Sequence, residues 1–237
     1  MSAAPKLSII LPCYNAPSGW HKQVLQYYLD IKDLLAVPME MLIVNDGSTN
    51  GFNQQLLRQF YADYPEIQLG SYNPNQGKGF ALREGVKKCN GELIMYTDID
   101  FPYTEQSFYD VYQALLKGND VAVGVRDESY YKHLSGERTR ISKLLRWFIK
   151  KFLRIPTDDT QCGLKGFNQK GKQIFLSTTI DRYLFDLEFI FLAAKQKRVI
   201  QTVPVQLRPD VQLSKMNWKI LSEEFGNFLK IFAKSIL

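Results

Sequence analysis

Residues 92–100 read Glu92-Leu-Ile-Met-Tyr-Thr-Asp-Ile-Asp100, an apolar run with two aspartates at its end. The run Glu92–Thr97 has the length and composition of a buried strand. Alternate residues of an extended segment point the same way, so the carboxylates of Asp98 and Asp100 converge. Two converging carboxylates favour a hard cation, and Mg²⁺ or Mn²⁺ is commonly held by one or two carboxylates together with the phosphate oxygens of a nucleotide.

Around this run, short strand-like segments alternate with longer helical ones. The other predicted strands of the first half are Leu7–Leu11, Glu40–Asn45, Ile67–Tyr72 and Asp120–Gly124, and its predicted helices are His21–Leu35, Phe52–Tyr64, Gly79–Cys89 and Glu105–Lys117. The second half contains a glycine-containing turn at Cys162–Gly166, a helix at Asp186–Lys195, a strand at Val199–Leu207 and a final helix at Asn217–Ile236. The alternation predicts an α/β fold with a mostly parallel central sheet flanked by helices.

Composition narrows the class of protein. The 237 residues are 45% hydrophobic and 23% charged, which is typical of a globular chain and long enough for one well-packed domain. Cys13, Cys89 and Cys162 lack metal-ligand spacing and are expected to be reduced thiols in a cytoplasmic protein. We expect neither a signal peptide nor a transmembrane helix, so any membrane contact is peripheral.

The basic charge is concentrated in one region. The net charge is +6, and eleven Lys or Arg residues against three acidic ones lie between Lys132 and Lys172. Such a patch attracts nucleic acid, anionic lipid or a phosphorylated substrate, and charge alone does not choose among them.

Polar residues also follow the first three predicted strands. In an open α/β sheet, ligands bind beyond the carboxyl ends of the strands, which makes these positions the candidate site. They are Pro12 to Asn15, Asp46 to Thr49 and Asn75 to Gly79. The last group lacks the third glycine of a dinucleotide fingerprint and follows the third strand, which excludes a dehydrogenase; it either simply opens a helix or contacts a nucleotide.

In order and spacing, these motifs are similar to those of glycosyltransferase family 2, which has the GT-A fold. They are Leu7-Ser-Ile-Ile-Leu-Pro-Cys-Tyr-Asn15, Asn45-Asp-Gly-Ser-Thr49, Asn75-Gln-Gly-Lys-Gly79 and Asp98-Ile-Asp100. The resemblance implies a GT-A nucleotide-sugar fold in one domain over residues 1–237. Its nucleotide-sugar-binding half is 1–126, and its acceptor-side half, with amphipathic helices, is 127–237.

The second half resembles the polyprenyl-phosphate sugar synthases, the group that includes dolichyl-phosphate mannose synthase. The matching elements are Val123-Gly-Val-Arg126, Arg138 with Ser142, Asp159-Thr-Gln-Cys-Gly-Leu-Lys165, Phe185-Asp-Leu-Glu188, Val203-Pro-Val205 and Ser214-Lys215. This implies metal-dependent, inverting transfer of a hexose from a UDP-glucose or GDP-mannose type donor to a polyprenyl phosphate at the cytoplasmic membrane face. A membrane-protein partner is a further expectation, and nucleic acid is not an expected partner.

The resemblance also assigns residues. It implies a nucleotide-sugar site of Pro12, Tyr14, Asn15, Asp46, Ser48, Lys78, Asp98, Ile99, Arg208 and Lys215. Asp46 would hydrogen-bond the base, and Asp98 and Asp100 would hold Mg²⁺ or Mn²⁺. The phosphate-binding cations would be Arg126, Arg138, Arg208 and Lys215, and the catalytic residues Asp100, Arg126 and Arg138.

Two positions depart from the family pattern. Ala16 stands where a glutamate is common, and Pro102 stands where a glutamine is common. Because one metal ligand is thereby missing, water or the diphosphate would complete the coordination of the ion.

Residues Ile141–Leu153 place apolar side chains at helical intervals, with Lys143, Arg146, Lys150 and Lys151 on the other face. The density of cations and the bulky Trp147 favour a helix lying in a membrane interface, and a core-facing helix is the alternative. The final segment, Asn217–Ile236, either plays the same part or packs inside.

Two other functions are compatible with these motifs. A family 2 transferase acting on a sugar hydroxyl would need a carboxylate base, for which Asp186 and Glu188 are candidates, although both also fit a structural role. A non-catalytic, nucleotide-binding subunit of a membrane complex is the other, and the intact Asp46, Asp98 and Asp100 argue against it.

Overall fold

The computed structural model describes residues 5–126, 153, 155–157, 159–209, 211, 226–228 and 231. The strands are β1 Leu7–Cys13, β2 Met39–Asp46, β3 Ile67–Tyr72, β4 Leu93–Tyr96, β5 Val121–Arg126, β6 Lys165–Phe167 and β7 Ile200–Val205. The helices with defined bounds are α1 Trp20–Leu35, α2 Gln54–Phe60, α3 Lys78–Lys88, α4 Glu105–Leu116, α5 Gln169–Leu176 and α6 Phe185–Lys195. The predicted α/β class is confirmed.

These strands form one sheet of seven in the order β3-β2-β1-β4-β6-β5-β7. All neighbouring pairs are parallel except those of β6, which runs antiparallel to β4 and to β5. From β1 the chain moves outward to β2 and β3, and β4 then pairs with the other side of β1. This reversal between β1 and β4 is the point where open α/β sheets bind ligands.

Helices cover both faces of the sheet, and each face has its own apolar core. One core joins α1 and α4 to β1 through Trp20, Tyr28, Phe108, Leu7 and Ile9. The other joins α3, α5 and α6 to the opposite face of the sheet. Its members include Ile10, Leu82, Phe167, Phe175, Phe185 and Phe189. Burial on both faces explains why the inner strands are almost continuously apolar in sequence.

Helix α2 and the segment Cys162–Gly166 differ from the sequence prediction. A helix cap sets the start of the first, and pairing with neighbouring strands determines the second. Helix α2 begins at Gln54 rather than Phe52, since the Asn53 side chain accepts hydrogen bonds from the backbone N–H groups of Gln55 and Leu56, at 3.1 Å each. The predicted turn at Cys162–Gly166 is instead the entry to β6, whose sequence Lys-Gly-Phe carries no strand pattern. Helix α5 was not predicted.

Most of the two predicted amphipathic helices lies outside the described residues. Leu153, at the end of the first, is buried in the core, as is Ile231 in the last segment. Residues 226–228 and 231 are helical. Among the helices that the structure describes, none has the length and apolarity needed to cross a bilayer.

Candidate active site

A cleft of about 950 Å³ lies at the carboxyl ends of β1, β2 and β4. It contains most of the residues predicted from the sequence, which come from separate loops. Those that line it are Pro12, Tyr14, Asn15, Asp46, Lys78, Asp98, Ile99, Asp100 and Arg126. Ser48 and Arg208 lie beside it, and Arg138 and Lys215 are outside the described residues.

The turn after β4 carries the two predicted metal ligands. Phe101 has a positive φ of 44°, and its N–H donates to the Asp98 carbonyl at 3.0 Å, which closes the turn. A bulky residue in this region is strained, and burial of the Phe101 ring against Tyr27 and Phe108 holds it there. The core thus fixes the turn that presents Asp98 and Asp100 to the cleft.

The charges of these carboxylates interact with each other and with Lys78. Burial of the Asp100 carboxylate and then the charge of Asp98 raise the pKa of Asp100. Lys78 Nζ lies 2.5 Å from Asp98 Oδ1. Burial acts to lower the pKa of Lys78, but Asp98 and Asp186 outweigh it, and the pKa is raised. Lys78 is therefore a cation within the cleft.

The donor set fits a hard divalent cation. Asp98 and Asp100 supply carboxylate oxygens to the cleft. Within the described part of the chain they are not part of a larger cluster, since no group of three or more His, Cys, Asp or Glu side chains suited to a metal occurs there. Gly163 faces Asp98, since a Cβ there would stand 2.6 Å from Asp98 Oδ2, so its missing side chain keeps that oxygen clear. Two carboxylates with room beside them suit an ion that takes its remaining ligands from phosphate and water.

Asp46 is held by hydrogen bonds from the end of β3 and the loop that follows it. Its buried carboxylate accepts four: from Tyr72 Oη at 2.9 Å, Asn75 Nδ2 at 2.8 Å, and the backbone N–H groups of Gln76 at 2.7 Å and Gly77 at 2.9 Å. These bonds occupy the lone pairs of both oxygens. Asp46 holds the loop that leads into α3, and its contact with the base stays a prediction.

Asn15 and Ser48 join the loops after β1 and β2. Asn15 Oδ1 accepts from the backbone N–H groups of Thr49 at 2.9 Å and Asn50 at 3.0 Å, and Ser48 Oγ accepts from the Asn15 N–H at 2.9 Å. The φ of Asn15 is 48°, a conformation that asparagine tolerates better than most residues. The two residues fix the edge of the cleft.

Arg126, at the end of β5, forms a two-pronged ion pair with Asp159. Its Nε donates to Asp159 Oδ2 at 3.0 Å and its Nη2 to Oδ1 at 2.5 Å. Burial alone would raise the pKa of Asp159, but the hydrogen bonds and charge of Arg126 lower it. Asp159 thus fixes the orientation of the guanidinium at the cleft.

Arg208 lies next to the Asp98 to Phe101 turn. Its Nη2 donates to the Asp100 carbonyl at 3.1 Å, and its guanidinium carbon lies 3.8 Å from the centre of the Tyr27 ring. The side chain supports the turn that carries the paired aspartates.

Helix α6 contributes two buried carboxylates, Asp186, which lines the cleft, and Glu188, which does not. Asp186 accepts a hydrogen bond from Tyr96 Oη and lies 2.8 Å from Lys165 Nζ. Glu188 has no exposed surface and accepts from the backbone N–H groups of Thr179 and Ile180, at 2.8 Å each. Both carboxylates have structural partners, as expected of charges in a core.

The residues that line the cleft but were not predicted as site residues include Gln161, Arg182 and Tyr183. Gln161 Nε2 is buried without a hydrogen-bond partner among the described residues. Gln161 belongs to the Asp159 to Lys165 motif, which drew attention to the segment. Arg182 and Tyr183 lie between α5 and α6, outside any motif, and no sequence signal marks them.

Comparison with known sequences identifies the family. The profile of the family "Glycosyl transferase family 2" matches residues 8–178. A dolichyl-phosphate beta-glucosyltransferase of Saccharomyces cerevisiae is 26% identical over 251 residues, covering 98% of this chain and 75% of that protein. One from Trichomonas vaginalis is 28% identical over 250 residues, covering 97% of this chain and 73% of the relative.

Solved structures show the same fold. A mannosyl-3-phosphoglycerate synthase from Rubrobacter xylanophilus matches with a TM-score of 0.61 at 14% identity, over 97% of this chain and 73% of that one. A mannosyltransferase from Pyrobaculum calidifontis, in complex with GDP-Man and Mn²⁺, matches with a TM-score of 0.55 at 15% identity, over 86% and 56%. The expected GT-A fold is confirmed, and with the profile match over most of its length, the chain belongs to glycosyl transferase family 2.

Proposed function

We propose that this protein transfers glucose from a nucleoside-diphosphate sugar to a polyprenyl phosphate, with inversion at the anomeric carbon. The observation that carries the proposal is the single cleft that joins the paired aspartates 98 and 100 to the oriented cation of Arg126. Relatives named as dolichyl-phosphate beta-glucosyltransferases along nearly the whole chain support a polyprenyl-phosphate acceptor and favour glucose over mannose.

The donor would bind with its diphosphate near the turn after β4. Asp98 and Asp100 would hold Mg²⁺ or Mn²⁺, which when bound neutralises negative charge on the leaving diphosphate. Tyr14, half exposed at the rim, and Pro12 offer surfaces for the base. Lys78 adds a second positive charge to the cleft.

The acceptor phosphate would supply the nucleophile. The second pKa of a phosphate monoester is about 6, so its oxygens are ionised at neutral pH and require no strong protein base. Arg126, oriented by Asp159, would hold this phosphate together with Arg138. Arg208, beside the turn after β4, and Lys215 would contact the donor phosphates. Clamping two anions in reacting geometry is then the main catalytic task.

The environments of Asp186 and Glu188 disfavour the hydroxyl-acceptor alternative. That reaction needs a carboxylate within reach of a hydroxyl proton. Glu188 is fully buried, with its oxygens engaged by Thr179 and Ile180. Asp186 lines the cleft, but it is almost completely buried and its Oδ1 is engaged by both Tyr96 and Lys165. The acceptor that needs no such base fits the cleft better.

The enzyme would work at the cytoplasmic face of a membrane, to which it would bind peripherally. A polyprenyl tail does not leave the bilayer easily, because each methylene moved into water costs about 0.8 kcal/mol. The cations of the segment Ile141–Leu153, which are Lys143, Arg146, Lys150 and Lys151, would meet the anionic surface.

The test is a transfer assay with four donors and a polyprenyl phosphate. UDP-glucose, GDP-glucose, UDP-mannose and GDP-mannose are each incubated with detergent-solubilised dolichyl phosphate and Mn²⁺, with and without excess chelator. We expect glucosyl-lipid from one glucose donor and none in chelator. Transfer to a sugar hydroxyl but not to the lipid phosphate would refute the proposal, and equal product in chelator would refute the metal assignment.

A further inference from the structure

The segment 178–184, between α5 and α6, forms one wall of the cleft. Arg182 and Tyr183 both line the cleft together with Lys78 and Asp98. Tyr183 is half exposed, and Gly77, the residue before Lys78, faces the Asp181 carbonyl and the stem of Arg182. Side chains of this segment therefore stand next to the cation and the paired aspartates of the site.

Two buried charges hold this segment in place. Glu188 accepts from the Thr179 hydroxyl at 2.9 Å in addition to the two backbone N–H groups. Arg83, on α3, donates to the Ile180 carbonyl at 2.9 Å and to the Asp181 carboxylate. Buried charges are costly unless they are fully paired, and here their partners lie in one short stretch of chain. The wall is consequently fixed before any ligand arrives.

The same segment also covers the start of α3. The Asp181 carbonyl accepts from the N–H groups of Gly79 at 2.7 Å and Phe80 at 3.2 Å. Gly77 has a φ of 109°, and a Cβ there would stand 2.6 Å from the Asp181 oxygen and 3.1 Å from Arg182 Cγ. Since these helix-terminal N–H groups are already bonded, an anion at this wall must be bound by side chains.

The two cationic side chains at this place are Lys78 and Arg182. Lys78 Nζ lies 2.5 Å from Asp98 Oδ1. The stem of Arg182 packs over Gly77, the residue that precedes Lys78 in sequence, so both cationic residues belong to the same wall of the cleft. A guanidinium stays charged at every relevant pH, and its planar donors match the oxygens of a diphosphate.

We propose that Arg182 binds the diphosphate of the nucleotide-sugar donor, and that Arg83 and Glu188 position it through the segment 178–184. This rests on the proposed function, whose donor diphosphate must lie near Asp98 and Asp100. The diphosphate then has the metal-binding turn on one side and Lys78 with Arg182 on the other. Arg182 is a donor-binding residue, and Arg83 and Glu188 act only through it.

The test compares Arg182→Gln with Arg58→Gln, which removes the same charge from the exposed face of α2. UDP, GDP, inorganic pyrophosphate, uridine and guanosine are titrated into each protein by calorimetry with Mn²⁺. We expect Arg182→Gln to weaken binding of pyrophosphate, and of the nucleoside diphosphate that the wild type prefers, about tenfold or more. Nucleoside binding should be unchanged, and Arg58→Gln should match the wild type.

Unchanged diphosphate and pyrophosphate affinity in Arg182→Gln would overturn the assignment. A wild type that binds the diphosphate but transfers no sugar would contradict the proposed function alone. A wild type that binds neither diphosphate nor pyrophosphate would overturn both.

A second pair of variants tests the positioning role. Arg83→Gln should weaken diphosphate binding without affecting nucleoside binding, and Arg83→Lys should recover part of the loss. If Arg83→Gln does not fold, Asp181→Asn replaces it, because the half-exposed Asp181 side chain tolerates change. We expect it too to weaken diphosphate binding and to leave nucleoside binding unchanged. A fall in melting temperature with no change in diphosphate affinity would show that Arg83 is merely structural.

Discussion

At the scale of single residues, the proposal that Asp98 and Asp100 hold a divalent cation can be tested by one substitution. Asp100→Asn keeps the side-chain volume and removes one charge. We expect it to fold normally and to lose transfer activity by about a hundredfold or more, because a bound ion contributes several kcal/mol of charge stabilisation. Initial rates and Mn²⁺ titration measure this, and Asp63→Asn on the exposed surface is the matched control. If Asp100→Asn turned over at the wild-type rate, Asp100 would not be a metal ligand.

Also at the residue scale, the pair of Arg126 and Asp159 links the site to stability. We expect Asp159→Asn to lower the free energy of unfolding by about 3 kcal/mol, since it removes the charge of the carboxylate that pairs with the mostly buried Arg126 side chain. The folded-state pKa of Asp159 is lowered, so its contribution is complete above the ordinary aspartate pKa of about 3.9 and is lost as the pH falls through the lower folded value.

Urea unfolding at several pH values checks this second prediction. The difference in stability between wild type and Asp159→Asn should be constant near neutrality and shrink below pH about 4, where the wild-type carboxylate also becomes neutral. A difference that grows on acidification would contradict the lowered pKa.

At the scale of elements, the contact between α3 and the segment 178–184 leaves no room for a side chain at Gly79. A Cβ there would lie 2.7 Å from both the Ile180 carbonyl oxygen and Phe185 Cβ. Alanine favours helices over glycine by about 1 kcal/mol, but the overlap should dominate, and we expect Gly79→Ala to destabilise the protein by about 1 to 3 kcal/mol. The helical Gly226, with nothing within 4 Å of its Cβ position, is the control, and Gly226→Ala should be neutral or stabilising. If Gly79→Ala and Gly226→Ala changed the stability equally, the contact between α3 and the segment 178–184 would not be tightly packed.

At the scale of the whole molecule, we expect the distribution of charge to determine whether the protein binds an anionic membrane. Replacing Lys143, Arg146, Lys150 and Lys151 with Gln should weaken sedimentation with phosphatidylserine vesicles about tenfold or more, because each cation near an anionic surface contributes about 1 kcal/mol. Activity on detergent-solubilised acceptor should stay largely intact. The matched control replaces the exposed Arg58, Lys87, Lys88 and Lys117, which changes the net charge equally. Equal weakening in both variants would show that net charge alone, and not this segment, causes binding.

The α/β class, the first five strands along the chain and the main polar groups at their carboxyl ends could be predicted from local sequence alone. This was possible because a strand buried on both faces must be apolar, and because the residues that end it must turn and are free to be polar. Asp98 and Asp100 were found this way, since both the strand and the spacing of the carboxylates are local features.

Features that depend on contacts between distant parts of the chain could be found only from the folded structure. Strand β6 exists because β4 and β5 leave a place between them that Lys165 to Phe167 fill, with the Lys165 charge neutralised by Asp186. Arg182 lines the cleft because Arg83 and Glu188 hold the segment 178–184 against α3. Arg83 lies more than ninety residues away in sequence from the segment that it holds. No local pattern specifies such contacts, because their free energy arises when buried charges find partners that only the folded chain brings near.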